Sequence, residues 1–237
     1  MKLYNDDCFN VFPKIVDKSI DLVLVDLPYG QTSCEWDVCI DLEKMWKELK
    51  RISKDNTTFV FFTTTKFGYK LIQSNEKWFK YDLVWEKTIP CGFLSANRMP
   101  LRAHEMIYVF YKKLPTYHPQ MTPLDKPKTR KYIDRKCDDG VYGSVEHNYT
   151  KIRTHRHPRS VQSFKNPTRS KIKHSTQKPV DLCEWLIKSY SNEGETVLDF
   201  CMGSGSSGVA CQNSGREFVG IEMNDEIFKI AKERLEK

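Results

Sequence analysis

Along most of the chain, short apolar runs of strand length alternate with segments whose apolar residues recur at helical spacing. No other feature constrains the fold as strongly. Ile20-Asp21-Leu22-Val23-Leu24-Val25 reads as a buried strand closing at Asp26, because Leu27-Pro28-Tyr29-Gly30 cannot continue it. Apolar residues at 42, 45, 46, 49 and 52 mark one face of a helix. Residues 58–62, 81–85 and 105–111 read as strands, with a short helix over 67–74. Pro179 opens a helix running through Ser189, placed in the first turn where its missing N–H does no harm. Strand 196–200, helix 206–213, strand 217–222 and helix 225–235 complete the series. Strands alternating with helices predict a doubly wound, mostly parallel α/β sheet.

At 237 residues the chain is long enough for one large domain, or one domain carrying an insertion. No apolar stretch approaches the ~20 residues of a membrane-spanning helix, so no membrane association is expected. Residues 1–7 turn acidic at once, which does not resemble a secretory leader. The eight Cys include no C-x-x-C pair and read as reduced thiols, so a cytoplasmic setting is expected. Charge is distributed unevenly. Residues 112–178 hold 17 Lys/Arg against 5 Asp/Glu, whereas the remainder holds 21 against 26. That basic segment shows little apolar periodicity. It reads either as a solvated, partly mobile insertion or as a surface for a polyanion such as nucleic acid.

Strand 196–200 runs into Gly203-Ser204-Gly205-Ser206-Ser207-Gly208 and then a helix, with Glu222 ending the next strand. Formally this is a dinucleotide fingerprint, in which glycines let the backbone approach a ligand and the carboxylate grips ribose hydroxyls. An NAD-dependent oxidoreductase is therefore one reading, and a turn that binds nothing is another. Asp199 argues for a third. A carboxylate four residues before the first glycine would repel a pyrophosphate, but it suits a ligand bearing an ammonium group. S-adenosylmethionine combines an amino-acid end with a ribosyl adenine.

Asp26-Leu27-Pro28-Tyr29 follows a buried strand, which places it at the carboxyl edge of the sheet where open α/β folds bind ligands. A plain strand-ending turn would look the same. Methylation of an exocyclic amine on a base, however, requires a particular set of groups. The amine lone pair is delocalised into the ring, so two acceptors taking its N–H groups would make the nitrogen more nucleophilic, and an aromatic ring would hold the base face-on. Asp26, the carbonyl of Leu27 and the ring of Tyr29 supply that set, and Pro28 fixes the turn.

These segments together resemble the amino-methylating DNA methyltransferases of the β arrangement, in which the catalytic motif precedes the cofactor motif. Asp26-Leu27-Pro28-Tyr29 resembles the family's Asp-Pro-Pro-Tyr, and residues 197–205 its cofactor glycine motif. Gly220-Ile221-Glu222 resembles the ribose-binding strand end. His174-Ser175-Thr176-Gln177-Lys178-Pro179 resembles the stretch preceding the cofactor half, and Asn5-Asp6-Asp7-Cys8 the segment flanking the cofactor adenine. Leu101-Arg102-Ala103-His104-Glu105 looks like its counterpart in small phage- or prophage-type members. Leu27 and Ser175 stand where the family carries proline, and neither change removes a functional group.

The resemblance implies a Rossmann-like methyltransferase sheet divided into a catalytic half (1–112), a basic target-recognition insertion (113–173) and a cofactor half (174–237). It implies S-adenosylmethionine as cofactor, held by Asp7, Cys8, Thr176, Lys178, Asp199, Phe200, Gly203, Gly205 and Glu222, with no metal. Double-stranded DNA would be the partner, with Arg153, Arg156 and Arg159 on its phosphates and the target base extruded from the stack. A homodimer stays open, as does a role in restriction–modification or in a phage. Asp at the head of the tetrapeptide favours adenine N6 over cytosine N4, since cytosine-N4 members more often carry Ser. Attack by a cysteine on a pyrimidine ring is set aside, because Pro90-Cys91 lacks the accompanying glutamate motif. A silent DNA-binding protein on the same scaffold is the remaining alternative.

Overall fold

The computed structural model describes residues 1–29, 39–131, 150–167 and 177–236. It divides into two units, Met1–His118 with Ser160–Lys237, and Pro119–Arg159.

In the larger unit eight strands form one sheet, in the order β1 (Lys2–Tyr4), β10 (Glu217–Ile221), β9 (Thr196–Asp199), β2 (Ile20–Asp26), β3 (Ser53–Thr63), β5 (Arg102–Phe110), β4 (Phe79–Cys91) and β8 (Val161–Phe164). All neighbours are parallel except where β5 runs against β3 and β4. The α/β architecture expected from the alternation is therefore the one observed.

Successive side chains of a strand point to opposite faces, and the central strands bury both. Val23, Val25, Phe59 and Phe61 join the cluster covered by α1 (Cys8–Val11), α2 (Leu42–Ile52) and α3 (Thr65–Ser74). Leu22, Leu24, Val60 and Phe62 face α4 (Val180–Tyr190), α5 (Ser206–Ser214) and α6 (Asp225–Leu235). Two-sided burial explains why these strands read as unbroken apolar runs rather than alternating ones. Caps fix the helix starts. Asp41 accepts the N–H groups of Glu43 and Lys44 ahead of α2, and Asn224 those of Glu226 and Ile227 ahead of α6. Pro179 is the residue before α4 rather than part of its first turn. It still begins the helix without a wasted donor.

Chain order reverses between β2 and β9. These neighbours pair through Leu22↔Val197 and Val23↔Leu198, while the chain leaves β2 toward β3 and leaves β9 toward β10. Asp26 and Asp199, the last residues of the two strands, thereby end on one edge. In open α/β sheets such a switch point opens a crevice at the carboxyl ends.

The smaller unit is an antiparallel hairpin of β6 (Thr122–Lys131) and β7 (Thr150–Arg156), with Lys128 opposite Arg153. The absence of apolar periodicity had pointed to a solvated insertion. A two-stranded ribbon needs no buried face, however. Most of its described residues are exposed, Ile152 among them, so the period-two signal never arises.

Candidate active site

A cavity of about 1210 Å³ opens at the switch point. Its walls carry Asp7, Cys8, Asp26, Leu27, Pro28, Tyr29, Lys178, Asp199, Phe200, Gly203 and Glu222. Residues named from five separate stretches of sequence thus meet around one space. Thr176, Gly30, His174 and Ser175 lie outside the described residues. Arg153, Arg156 and Arg159 belong to the smaller unit, where Arg156 and Arg159 are exposed and Arg153 is half-buried.

At the glycine turn, Gly203 (φ 52°) and Gly205 (φ 78°) both adopt left-handed backbone that disfavours other side chains. A Cβ on Gly205 would come within 3.2–3.3 Å of Leu235 and Ala231, whereas the space in front of Gly203 is open. Glu222 secures the turn from the end of β10. Its Oε2 accepts the Gly203 N–H at 3.0 Å and its Oε1 the Asn224 N–H at 2.9 Å. The first residues of the chain close over this end. Glu222 N–H donates to the Tyr4 carbonyl at 3.1 Å, and Asp7 Oδ1 caps α1 by accepting from Phe9 N–H at 2.7 Å. The Cys8 thiol is pushed up to about 12 by burial and by the neighbouring Asp7 carboxylate, so it stays protonated.

Asp199 is 6% exposed. One oxygen accepts the Cys201 N–H at 3.1 Å and the other the Ser207 hydroxyl. Burial raises its pKa to about 7, with the Asp26 and Glu222 charges adding to the rise against these two hydrogen bonds. A buried carboxylate that is costly to ionise fits a cationic ligand. Beside it, the Ser206 hydroxyl is buried, lines the cavity and has no hydrogen-bond partner among the described residues. A buried acid, an orphaned hydroxyl and an open glycine turn together match the amino-acid end of S-adenosylmethionine, and Glu222 stands where ribose hydroxyls would lie.

Asp26 meets two side chains. Its Oδ1 accepts the Tyr29 hydroxyl at 2.5 Å and its Oδ2 receives the Lys178 ammonium at 2.5 Å. Lys178 also reaches Glu105 Oε2 at 3.2 Å, and Glu105 pairs on its other oxygen with Lys87. Burial pulls the Lys178 pKa down, but the Asp26 and Glu105 carboxylates outweigh it and hold the ammonium well above its ordinary value. For Glu105, burial raises the pKa, yet Lys178 and Lys87 bring it below the usual range.

Three placements add to what the sequence suggested. Lys178, grouped there with the cofactor residues, sits on the Asp26 carboxylate. The Tyr29 ring, cast as a platform for a base, lies 5.3 Å from the Phe67 ring at a 41° tilt while its hydroxyl holds Asp26. Leu27 buries its side chain in the core, so the residue that replaces the family's first proline is held by packing. Sequence reasoning also missed Glu105 and Lys87 as parts of the site. Glu105 closes the family-like stretch 101–105 and heads an apolar strand, but neither signal gives it a role until β5 and the segment leading into α4 are brought together.

The family model described as DNA methylase, for N6 and N4 methylation, matches residues 20–233. The type II methyltransferase M1.MboII of Moraxella bovis is 26% identical, over 97% of this chain and 94% of its own. M2.DpnII of Streptococcus pneumoniae is 26% identical, over 100% and 90%. Among solved structures, the crystal structure of the M1.HpyAVI–SAM complex superposes with a TM-score of 0.66 at 25% identity, over 100% of this chain and 99% of that one. The cytosine-N4-specific PvuII methyltransferase superposes with a TM-score of 0.69 at 15% identity, a likeness of fold alone. The chain belongs to the N6/N4 family of DNA methylases, enzymes that use S-adenosylmethionine.

Proposed function

We propose that this chain transfers the methyl group of S-adenosylmethionine to the exocyclic N6 of adenine in double-stranded DNA, with Asp26, Leu27, Pro28 and Tyr29 at the reacting amine. The observation that carries this reading is the convergence of Asp26 and Asp199 on one cavity at the switch point. One acid fits the target amine and the other the cofactor's ammonium group.

S-adenosylmethionine supplies an electrophilic methyl group. The chain supplies everything that positions and activates the acceptor. Asp26 accepts one N–H of the amine, and its hold strengthens as positive charge develops on nitrogen, so its effect falls on the chemical step. The Leu27 carbonyl accepts the second N–H. Lys178 and the Tyr29 hydroxyl anchor the two oxygens of Asp26. Each carboxylate oxygen has two lone pairs, which leaves acceptor capacity for the amine. Asp199, Glu222, Gly203, Phe200, Asp7 and Cys8 form the cofactor's part of the cavity, and Gly205, packed toward Leu235 and Ala231, shapes the turn behind it. The basic unit carrying Arg153, Arg156 and Arg159 would neutralise phosphates.

Adenine is favoured over cytosine by the Asp at position 26. A cytoplasmic location accompanies the reading, because the reaction needs DNA and the six described cysteines are all free thiols. Among the described residues no helix is long and apolar enough to cross a membrane. A homodimer is the alternative to a monomer, and sedimentation distinguishes them. The deciding experiment is transfer of labelled methyl from S-adenosylmethionine to unmethylated DNA, followed by nucleoside analysis. N6-methyladenine is expected. N4-methylcytosine would move the target base, and absence of label in DNA would overturn the reading.

A further inference from the structure

The hairpin tip between β4 and β5 projects apolar side chains into solvent beside the cavity. Strand β4 runs parallel to β8 and is related to β3 through two antiparallel steps, so its end at Cys91 lies at the same edge as Asp26. Cys91 pairs with Arg102, and residues 92–101 form the tip beyond them. The tip is an ordered turn. Gly92 is left-handed (φ 93°), and the Ser95, Ala96 and Met99 N–H groups donate to the Gly92, Phe93 and Ser95 carbonyls at 2.9–3.1 Å. This turn leaves Phe93 65% and Met99 60% exposed, and Leu94 wholly so. A cluster of large apolar groups held outward on a soluble protein marks a surface that something else covers.

Charge indicates what covers it. Between Lys87 and His104 the chain has no Asp or Glu, but it has Arg98 and Arg102, both exposed. At the base of the hairpin, Lys87 and Cys91 line the cavity that contains Asp26. The surface is therefore apolar at its apex, cationic on its flanks and adjacent to the site that must receive an extruded base. A duplex that has lost a base from its stack has the complementary form, an apolar gap between base pairs bordered by phosphates. Leu, Phe and Met are residue types that proteins insert at such steps, and arginines alongside neutralise the backbone.

We propose that the β4–β5 tip enters double-stranded DNA at the step vacated by the target base, with Leu94 and Phe93 filling the gap and Arg98 and Arg102 on the flanking phosphates. The proposal rests on the DNA-methylating function above. It assigns to this hairpin a DNA contact separate from the basic unit. Filling the gap stabilises the open duplex relative to the stacked one, so the tip acts on the cost of extrusion and not on the methyl transfer itself.

Methylated positions mapped on plasmid DNA supply a target sequence. Single-turnover methylation is then measured for the unaltered protein, Phe93→Ser/Leu94→Ser and Leu94→Met. One duplex is fully paired; in the other the target base faces an abasic position and, having no pairing partner, leaves the stack at lower cost. The double variant should lose tenfold or more on the paired duplex and stay within about threefold on the abasic one, while Leu94→Met stays near the unaltered rate. Equal loss on both duplexes, or no loss on either, overturns the proposal. So does a dimer that falls to monomers in the double variant, which would assign the tip to a second copy of the chain. If the unaltered protein methylates no DNA at all, the function proposed above fails first and this inference fails with it.

Discussion

Asp199 should make cofactor affinity depend on pH near neutrality. Its pKa stands near 7 against an ordinary 3.8, a difference of about 3 units caused first by burial. At 1.36 kcal/mol per unit, carrying the bare charge costs the empty protein about 4 kcal/mol. An ammonium group placed against it removes that penalty. Below pH 7 the free protein holds Asp199 protonated, and cofactor binding must expel the proton. At pH 6 roughly one molecule in ten is ionised, so the dissociation constant should be about tenfold larger than at pH 7.5. Above about pH 7.7–8.0 the ligand's own α-amino group loses its proton and affinity falls again. Binding should therefore be tightest between about pH 7 and 8.

Stability should follow with a definite sign. Between the ordinary and the folded pKa the native state binds more protons than the unfolded one. Stability of the empty protein therefore decreases as pH rises from about 4 toward 7, and saturating cofactor should flatten that slope. Calorimetry of S-adenosylmethionine binding from pH 5.5 to 8.5, in buffers of different ionisation enthalpy, reads both affinity and proton release. Asp199→Asn should bind ten- to a hundredfold more weakly at pH 7.5, the range for loss of a charged hydrogen bond, and should release no proton. A flat profile in the unaltered protein, or the same slope in Asp199→Asn, would refute the assignment.

Three further outcomes are expected. Asp26→Asn should lower the single-turnover methylation rate about 10²–10³-fold while leaving cofactor affinity unchanged by calorimetry, because its benefit grows only as the amine becomes cationic. Replacing Arg153, Arg156 and Arg159 together by Gln should weaken DNA binding and reduce its steepness against salt, measured by anisotropy, with cofactor binding intact. Gly220→Ala would bring a Cβ within 2.4 Å of Met202 Sδ and 2.5 Å of the Phe218 ring. Overpacking of that kind costs about 1–3 kcal/mol, so the melting temperature should drop by several degrees.

The sequence by itself determined the class of fold and the chemistry available at its edge. Short unbroken apolar runs such as 22–25 and 59–62, rich in β-branched and aromatic residues, read as strands buried on both faces, and the helical stripes between them as the layers that bury them. Asp26 and Asp199 could be named because strand ends in such a sheet face the ligand, and because a carboxylate beside a glycine turn selects the charge of its partner. Tertiary structure decided which groups touch. Lys178 stands 152 positions from Asp26 and 73 from Glu105, and nothing local to any of them records the ion pairs that join them. The ribbon of β6 and β7 was also invisible, since a strand pair without a buried face leaves no hydrophobic period. Local patterns record what each segment must hide from water. The pairing of charges across the cavity depends on how the strands are ordered in the sheet, a property of the whole chain.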